Sequence, residues 1–97
     1  MKVLLVCAAG MSTSLLTNAM MKSAQPGDAV EAFPISELLS EIDRFDVVLL
    51  GPQIKFKLKD VEDIAKPKGI PVAVIDMRVY GMMNGPAAME QARSLLP

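Results

Sequence analysis

The sequence has no histidine, no tryptophan and a single cysteine, and aromatic residues make up only 4% of it. Each scarcity excludes something. Without histidine there is no imidazole acid–base chemistry, and with only one cysteine there is no Cys/His zinc site. One thiol cannot form an intramolecular disulfide or a two-cysteine redox pair, so a thioredoxin-like module is left with intermolecular chemistry alone. Few aromatics mean that any core is aliphatic. Charge of either sign is also lacking in excess: ten Lys and Arg against eleven Asp and Glu leave a formal charge of -1. A nucleic-acid binder needs a basic footprint, so that class is set aside. No apolar run approaches the roughly 20 residues of a membrane span.

The first residues, Met1-Lys2-Val3-Leu4-Leu5-Val6-Cys7, superficially resemble a short lipoprotein leader. An export signal carries an apolar stretch of about 7–15 residues, which this segment does not reach before its cysteine. It reads instead as a buried strand, and the cytoplasm is the expected location.

What is present is ample core material: 52% hydrophobic residues and a mean hydropathy of +0.36 across 97 residues. That length fits one domain spanning residues 1–97. Four apolar runs stand out: Val3-Leu4-Leu5-Val6, Ala29-Val30-Glu31-Ala32-Phe33 ending at Pro34, Val47-Val48-Leu49-Leu50 stopped by Gly51-Pro52, and Val72-Ala73-Val74-Ile75 closed by Asp76. Continuous runs of this length suit parallel strands buried on both faces.

Between the runs the spacing is helical. Leu15, Leu16, Ala19 and Met20 follow a start near Met11 or Ser12. Ser36 is placed to cap a short helix carrying Leu38, Leu39 and Ile42. Ile54, Leu58, Val61, Ile64 and Ala65 form an apolar stripe, and Lys55, Lys57 and Lys59 read as a solvated helix face. Pro86 suits the first turn of a last helix with Met89, Ala92, Arg93 and Leu96. Gly27 and Gly69 mark turns into the second and fourth strands. The pattern β-α-β-α-β-α-β-α, with right-handed crossovers, predicts an α/β three-layer sandwich. Its four-stranded parallel sheet has order 2-1-3-4, with helices on both faces.

In such a sheet ligands bind beyond the carboxyl ends of the strands, where the order reverses. That point lies between strands 1 and 3, where Cys7 and Gly51-Pro52-Gln53 emerge. The residues after the cysteine, Ala8-Ala9-Gly10-Met11-Ser12-Thr13-Ser14, suit an anion: small residues allow close backbone approach, a helix amino terminus follows, and three hydroxyls add donors. A nucleophile and a phosphate cradle thus share one loop. Its spacing resembles the Cys-x5-Arg-Ser/Thr loop of low-molecular-weight tyrosine phosphatases, with Thr13 where their arginine stands. That arginine stabilises charge on the phosphoryl oxygens in the transition state. Its absence favours a carrier, which accepts a phosphoryl group and does not lose it to water. A phosphatase of that type is the alternative, and a non-enzymatic anion-binding regulator is a further one.

The same residues strongly resemble the enzyme IIB components of the lactose/cellobiose/chitobiose class of the sugar phosphotransferase system. The matching stretches are Val6-Cys7-Ala8-Ala9-Gly10-Met11-Ser12-Thr13-Ser14-Leu15-Leu16, Glu31-Ala32-Phe33-Pro34, Asp46-Val47-Val48-Leu49-Leu50-Gly51-Pro52-Gln53-Ile54, Val74-Ile75-Asp76 and Tyr80-Gly81. The loop looks most like the cellobiose/chitobiose branch. The resemblance implies that Cys7 takes a phosphoryl group from a phosphohistidine on a IIA protein. It then passes the group to a sugar, such as a β-linked disaccharide, bound by the membrane-embedded IIC protein. No cofactor or metal is implied.

Secondary features remain open between two roles. Gly51-Pro52-Gln53 either adds a group beside the phosphate or simply starts the next helix. Tyr80 joins them as a further candidate. Asp76 sits one strand further from Cys7 than Gly51 and reads as structural. Tyr80-Gly81-Met82-Met83-Asn84-Gly85 reads as an apolar loop suited to docking a partner.

Overall fold

Each of the four apolar runs forms a strand, because a β-branched, aliphatic segment can only satisfy its backbone and bury both of its faces inside a sheet. The computed structural model describes residues 1–7 and 14–96, with the backbone alone at Ser14. The strands are β1 (Lys2–Cys7), β2 (Ala29–Pro34), β3 (Val47–Leu50) and β4 (Val72–Val74). All pairings are parallel and the order is β2-β1-β3-β4, as the crossover argument predicts.

Alternation along the central strands divides the core in two. Val3 and Leu5 of β1 and Val47 and Leu49 of β3 face helices α1 (Ser14–Met21) and α5 (Gly85–Leu95), against Leu16, Met20, Ala88, Met89 and Ala92. Leu4, Val6, Val48 and Leu50 face the opposite layer, built from α2 (Leu38–Glu41) and α3 (Leu58–Ala65), against Leu38, Ile42, Val61 and Ala65. Helices therefore cover both faces, which is why the strand sequences read as continuous rather than alternating.

The helices differ from the sequence pattern in detail. Leu16 and Met20 are fully buried, but Leu15 is 66% exposed, and Leu39 also turns outward. Ser36 caps nothing: Ile35–Glu37 is a 3-10 turn leading from Pro34, and α2 begins behind Glu37 with no side-chain cap. The Ile54-to-Ala65 stripe is split by a 3-10 segment, Pro52–Lys57, whose Ile54 departs from helical geometry before α3 begins. A further helix, α4 (Met77–Gly81), replaces the first part of the expected Tyr80-to-Gly85 loop. Asp76 creates it: its carboxylate accepts the N–H groups of Arg78 and Val79 at 2.8 and 3.3 Å, satisfying donors that a five-residue helix otherwise leaves open. Asp76 is thus structural, as its strand position suggested. Gly27 and Gly69 do make their turns, with φ of +90° and +72°.

Two contacts set the sheet's surroundings. Gly85 opens α5 directly against the backbone of Ala19 and Met20 in α1, and a Cβ at this position would collide with it. The two helices of that layer approach this closely only because residue 85 is glycine. Beside β2, the Arg44 guanidinium lies 5.8 and 5.1 Å from the rings of Phe33 and Phe45 and pairs with Glu41 at 2.6 Å.

Candidate functional site

Cys7 is the last residue of β1, one of the two inner strands of the sheet. The strand's apolar run buries everything up to this point, and the thiol itself is 6% exposed. On one side Cys7 is in register with Pro34, and its thiol donates to the carbonyl of Phe33 with Sγ···O of 3.6 Å. On the other side the carbonyl of Val6 accepts the Gly51 N–H at 2.9 Å, which carries the β1–β3 pairing one step beyond β3. The connection leaving β1 runs through α1 on one face of the sheet, and that leaving β3 runs through α3 on the other. In sheets of this order ligands bind where two such paths diverge, here at the ends of β1 and β3 beside Cys7 and Gly51.

Gly51, Gln53 and Tyr80 meet at the end of β3. A Cβ on Gly51 would stand 2.8 Å from Gln53 Oε1, 3.6 Å from the Val6 carbonyl oxygen and 3.7 Å from Tyr80 Cε2. The carboxamide of Gln53 is therefore folded back over the glycine, and the Tyr80 ring closes the space beside it. Tyr80 is 8% exposed and is delivered by α4, itself anchored by Asp76. Pro52 occupies the first turn of the following 3-10 segment, so the turn role holds for Pro52 while Gln53 returns to the strand end. The remaining predicted site residues, Ala8, Ala9, Gly10, Met11, Ser12 and Thr13, lie outside the described residues, as does the side chain of Ser14.

Two contributors left no mark in the sequence reading. The acceptor for the Cys7 thiol is a main-chain carbonyl, which carries no residue signature. The helix that brings Tyr80 to Gly51 was signalled only by an aspartate preceding a short apolar stretch. Among the described residues, no group of three or more Cys, Asp or Glu is placed to hold a metal ion. No helix among them is long and apolar enough to cross a membrane.

The family model described as PTS system, Lactose/Cellobiose specific IIB subunit matches residues 2–91. The chain belongs to this family. The protein is thus a IIB component of lactose/cellobiose type, a phosphotransferase of the sugar phosphotransferase system (PTS). Phosphocysteine transfer is the general role of such components, which work with IIA and IIC partners. This IIB chain is 42% identical over 98 residues to the oligo-beta-mannoside-specific EIIB component of Bacillus subtilis (strain 168), covering 98% of this chain and 95% of that one. Among solved structures it resembles the cellobiose-specific IIB component from Borrelia burgdorferi, with TM-score 0.80 and 44% identity, covering 99% of this chain and 91% of that one. The lactose-specific IIB domain from Streptococcus pneumoniae superposes with TM-score 0.85 at 18% identity over 98% and 96% of the two chains. At that identity the likeness speaks for the fold alone.

Proposed function

We propose that Cys7 is the residue that carries the phosphoryl group, taken from a phosphohistidine of IIA and passed to a sugar bound by the membrane protein IIC. The observation that carries this reading is that the chain's only cysteine ends the central strand at the topological switch point. In the first transfer the Sγ–P bond forms as the N–P bond of the donor breaks, and the thiol proton ends on the released imidazole. In the second the S–P bond breaks, an O–P bond forms to a sugar hydroxyl, and that hydroxyl's proton returns to the sulfur. Ala8, Ala9, Gly10, Met11, Ser12, Thr13 and Ser14 form the phosphate cradle on this reading, with Thr13 in place of a charge-stabilising arginine. Residues 1–97 act as one IIB domain in the cytoplasm, and the sugar is a β-linked disaccharide such as cellobiose or chitobiose.

The partner surface follows from where apolar side chains are left outside. Leu15, Leu39, Phe56, Met77 and Met82 are all strongly exposed, and each lies in a segment that follows the carboxyl end of a strand. Met82 is the extreme at 78%, whereas Met83 packs against the core. Exposed, adaptable apolar side chains in the segments that follow the strand ends suit two partners that must each reach the thiol in turn.

The test is reconstitution. The protein, phosphoenolpyruvate, the general phosphotransfer proteins and a cognate IIA are combined, and the intact mass is measured. One phosphoryl adduct is expected, absent without IIA and absent in Cys7→Ser. An adduct that persists in Cys7→Ser would overturn the assignment.

A further inference from the structure

We infer that the Gln53 carboxamide is a side-chain donor to the phosphoryl group, held over Gly51 by the edge of the Tyr80 ring. This rests on the reading of Cys7 as the phosphoryl carrier. The first support is position. Gly51 donates to the carbonyl of Val6, the residue before Cys7, and Gln53 Oε1 lies 2.8 Å from where a Gly51 Cβ would stand. An exposed glutamine two residues along is thereby drawn back to the end of the central strand, although its side chain is long enough to lie free in water. The second support is that among the described residues no hydrogen bond engages this carboxamide, so both of its N–H donors are available. The third is Gly51 itself. Its φ and ψ of -61° and 145° suit any residue, so the backbone does not demand glycine there. A methyl group there would meet only the tip of the Gln53 side chain, so alanine is tolerated by the backbone and displaces the carboxamide.

The chemistry suits a carrier. An amide N–H makes a charge-assisted hydrogen bond to the anionic phosphoryl oxygens while carrying no charge of its own. It steadies the phosphocysteine without the positive charge that would also stabilise attack by water. Tyr80 acts as a positioning residue through its ring edge, beside Gly51.

The experiment uses the full chain labelled with 15N, phosphorylated through IIA, with transfer rates followed by intact mass. The Gln53 Nε2 resonances, assigned by their loss in Gln53→Met, shift on phosphorylation of the wild-type protein. Gln53→Met slows phosphoryl uptake about tenfold, the effect of one lost hydrogen bond. Gly51→Ala displaces the carboxamide by its Cβ alone and gives the same loss, with the Gln53 resonances no longer shifting. The double variant is no slower than either single one, since both remove one interaction. Stationary Gln53 resonances in a phosphorylated protein, wild-type rates in Gln53→Met, or losses that multiply in the double variant would each overturn the inference and leave Cys7 standing. If Gly51→Ala does not fold, Gln53→Met and the resonance shift decide alone. A wild-type protein that takes up no phosphoryl group on Cys7 defeats the underlying reading instead.

Discussion

The two ends of the sheet are built on opposite plans. At the amino edge, polar groups are fully engaged. Asp28, 3% exposed at its side chain, accepts from the Met1 ammonium at 3.1 Å, the Gln25 N–H at 2.9 Å and Arg93 at 2.7 Å. Arg93 foremost, then the Gln25 N–H and the ammonium, hold its carboxyl well below the usual carboxylate range. Beside it the Asp46 carboxylate accepts the Lys2 N–H at 2.8 Å. At the carboxyl edge the carboxamide of Gln53 has no hydrogen-bond partner among the described residues, and exposed apolar side chains follow the strand ends. One edge holds the strands and helices together and the other is left to meet partners. A fold that fixes its ligand edge by anchoring the opposite one can leave that edge chemically unspent.

Substitutions on the two sides should therefore fail differently. The largest structural effect is expected at Gly85, which belongs to the α1–α5 layer. Gly85→Ala drives a methyl group into the Ala19 backbone, which cannot yield as a side-chain tip would, and should cost about 1–3 kcal/mol or more in urea denaturation. Next comes Asp28→Asn, which should lower Tm without changing the rate of phosphoryl uptake. The sign of its pH dependence is fixed by the depressed folded-state pKa. Charged Asp28 contributes stability that is fully present above the unfolded value of about 3.9 and fades as pH falls below it. The Tm gap between wild type and Asp28→Asn should thus narrow from about pH 4 downward, and a constant gap would contradict the clamp. The smallest effect on stability belongs to the carboxyl edge. Met82→Ser or Leu15→Ser should change stability by no more than about 0.5 kcal/mol. Either should weaken association with IIA by a few-fold or more, measured by calorimetry.

Much of this division was legible in the sequence, and the exceptions have physical causes. The four strands and their order followed from continuous aliphatic runs broken by Gly, Pro and Asp, because burial on both faces leaves no other pattern. Cys7 at the switch point followed from order alone, and the loop residues that follow it carried the anion argument. Asp28 was not visible as an anchor. In the stretch Gln25-Pro26-Gly27-Asp28 it reads as a polar turn residue, and its partner Arg93 lies 65 positions away with no local signature. Leu15 and Leu39 fit helical spacing yet face outward, since spacing defines a helix and not which of two adjacent apolar positions it buries. Gly85 in Asn84-Gly85-Pro86 looks like a helix start, while the requirement for glycine comes from a neighbouring helix. Gln53 is a candidate through its place after strand 3, but its side chain's return over Gly51, beside a ring carried in by α4, has no signature in the sequence. A five-residue helix held by one aspartate leaves almost no periodicity to read.

The central claim, that the phosphoryl group enters at the carboxyl edge on Cys7, is tested most directly by mapping amide resonances before and after phosphorylation by IIA. Shifts are expected at Cys7, at Gly51 and Gln53 and around Tyr80, none at Asp28, Asp46 or Gly69, and no change at all in Cys7→Ser. Shifts centred on the amino edge, or shifts that survive in Cys7→Ser, would contradict it.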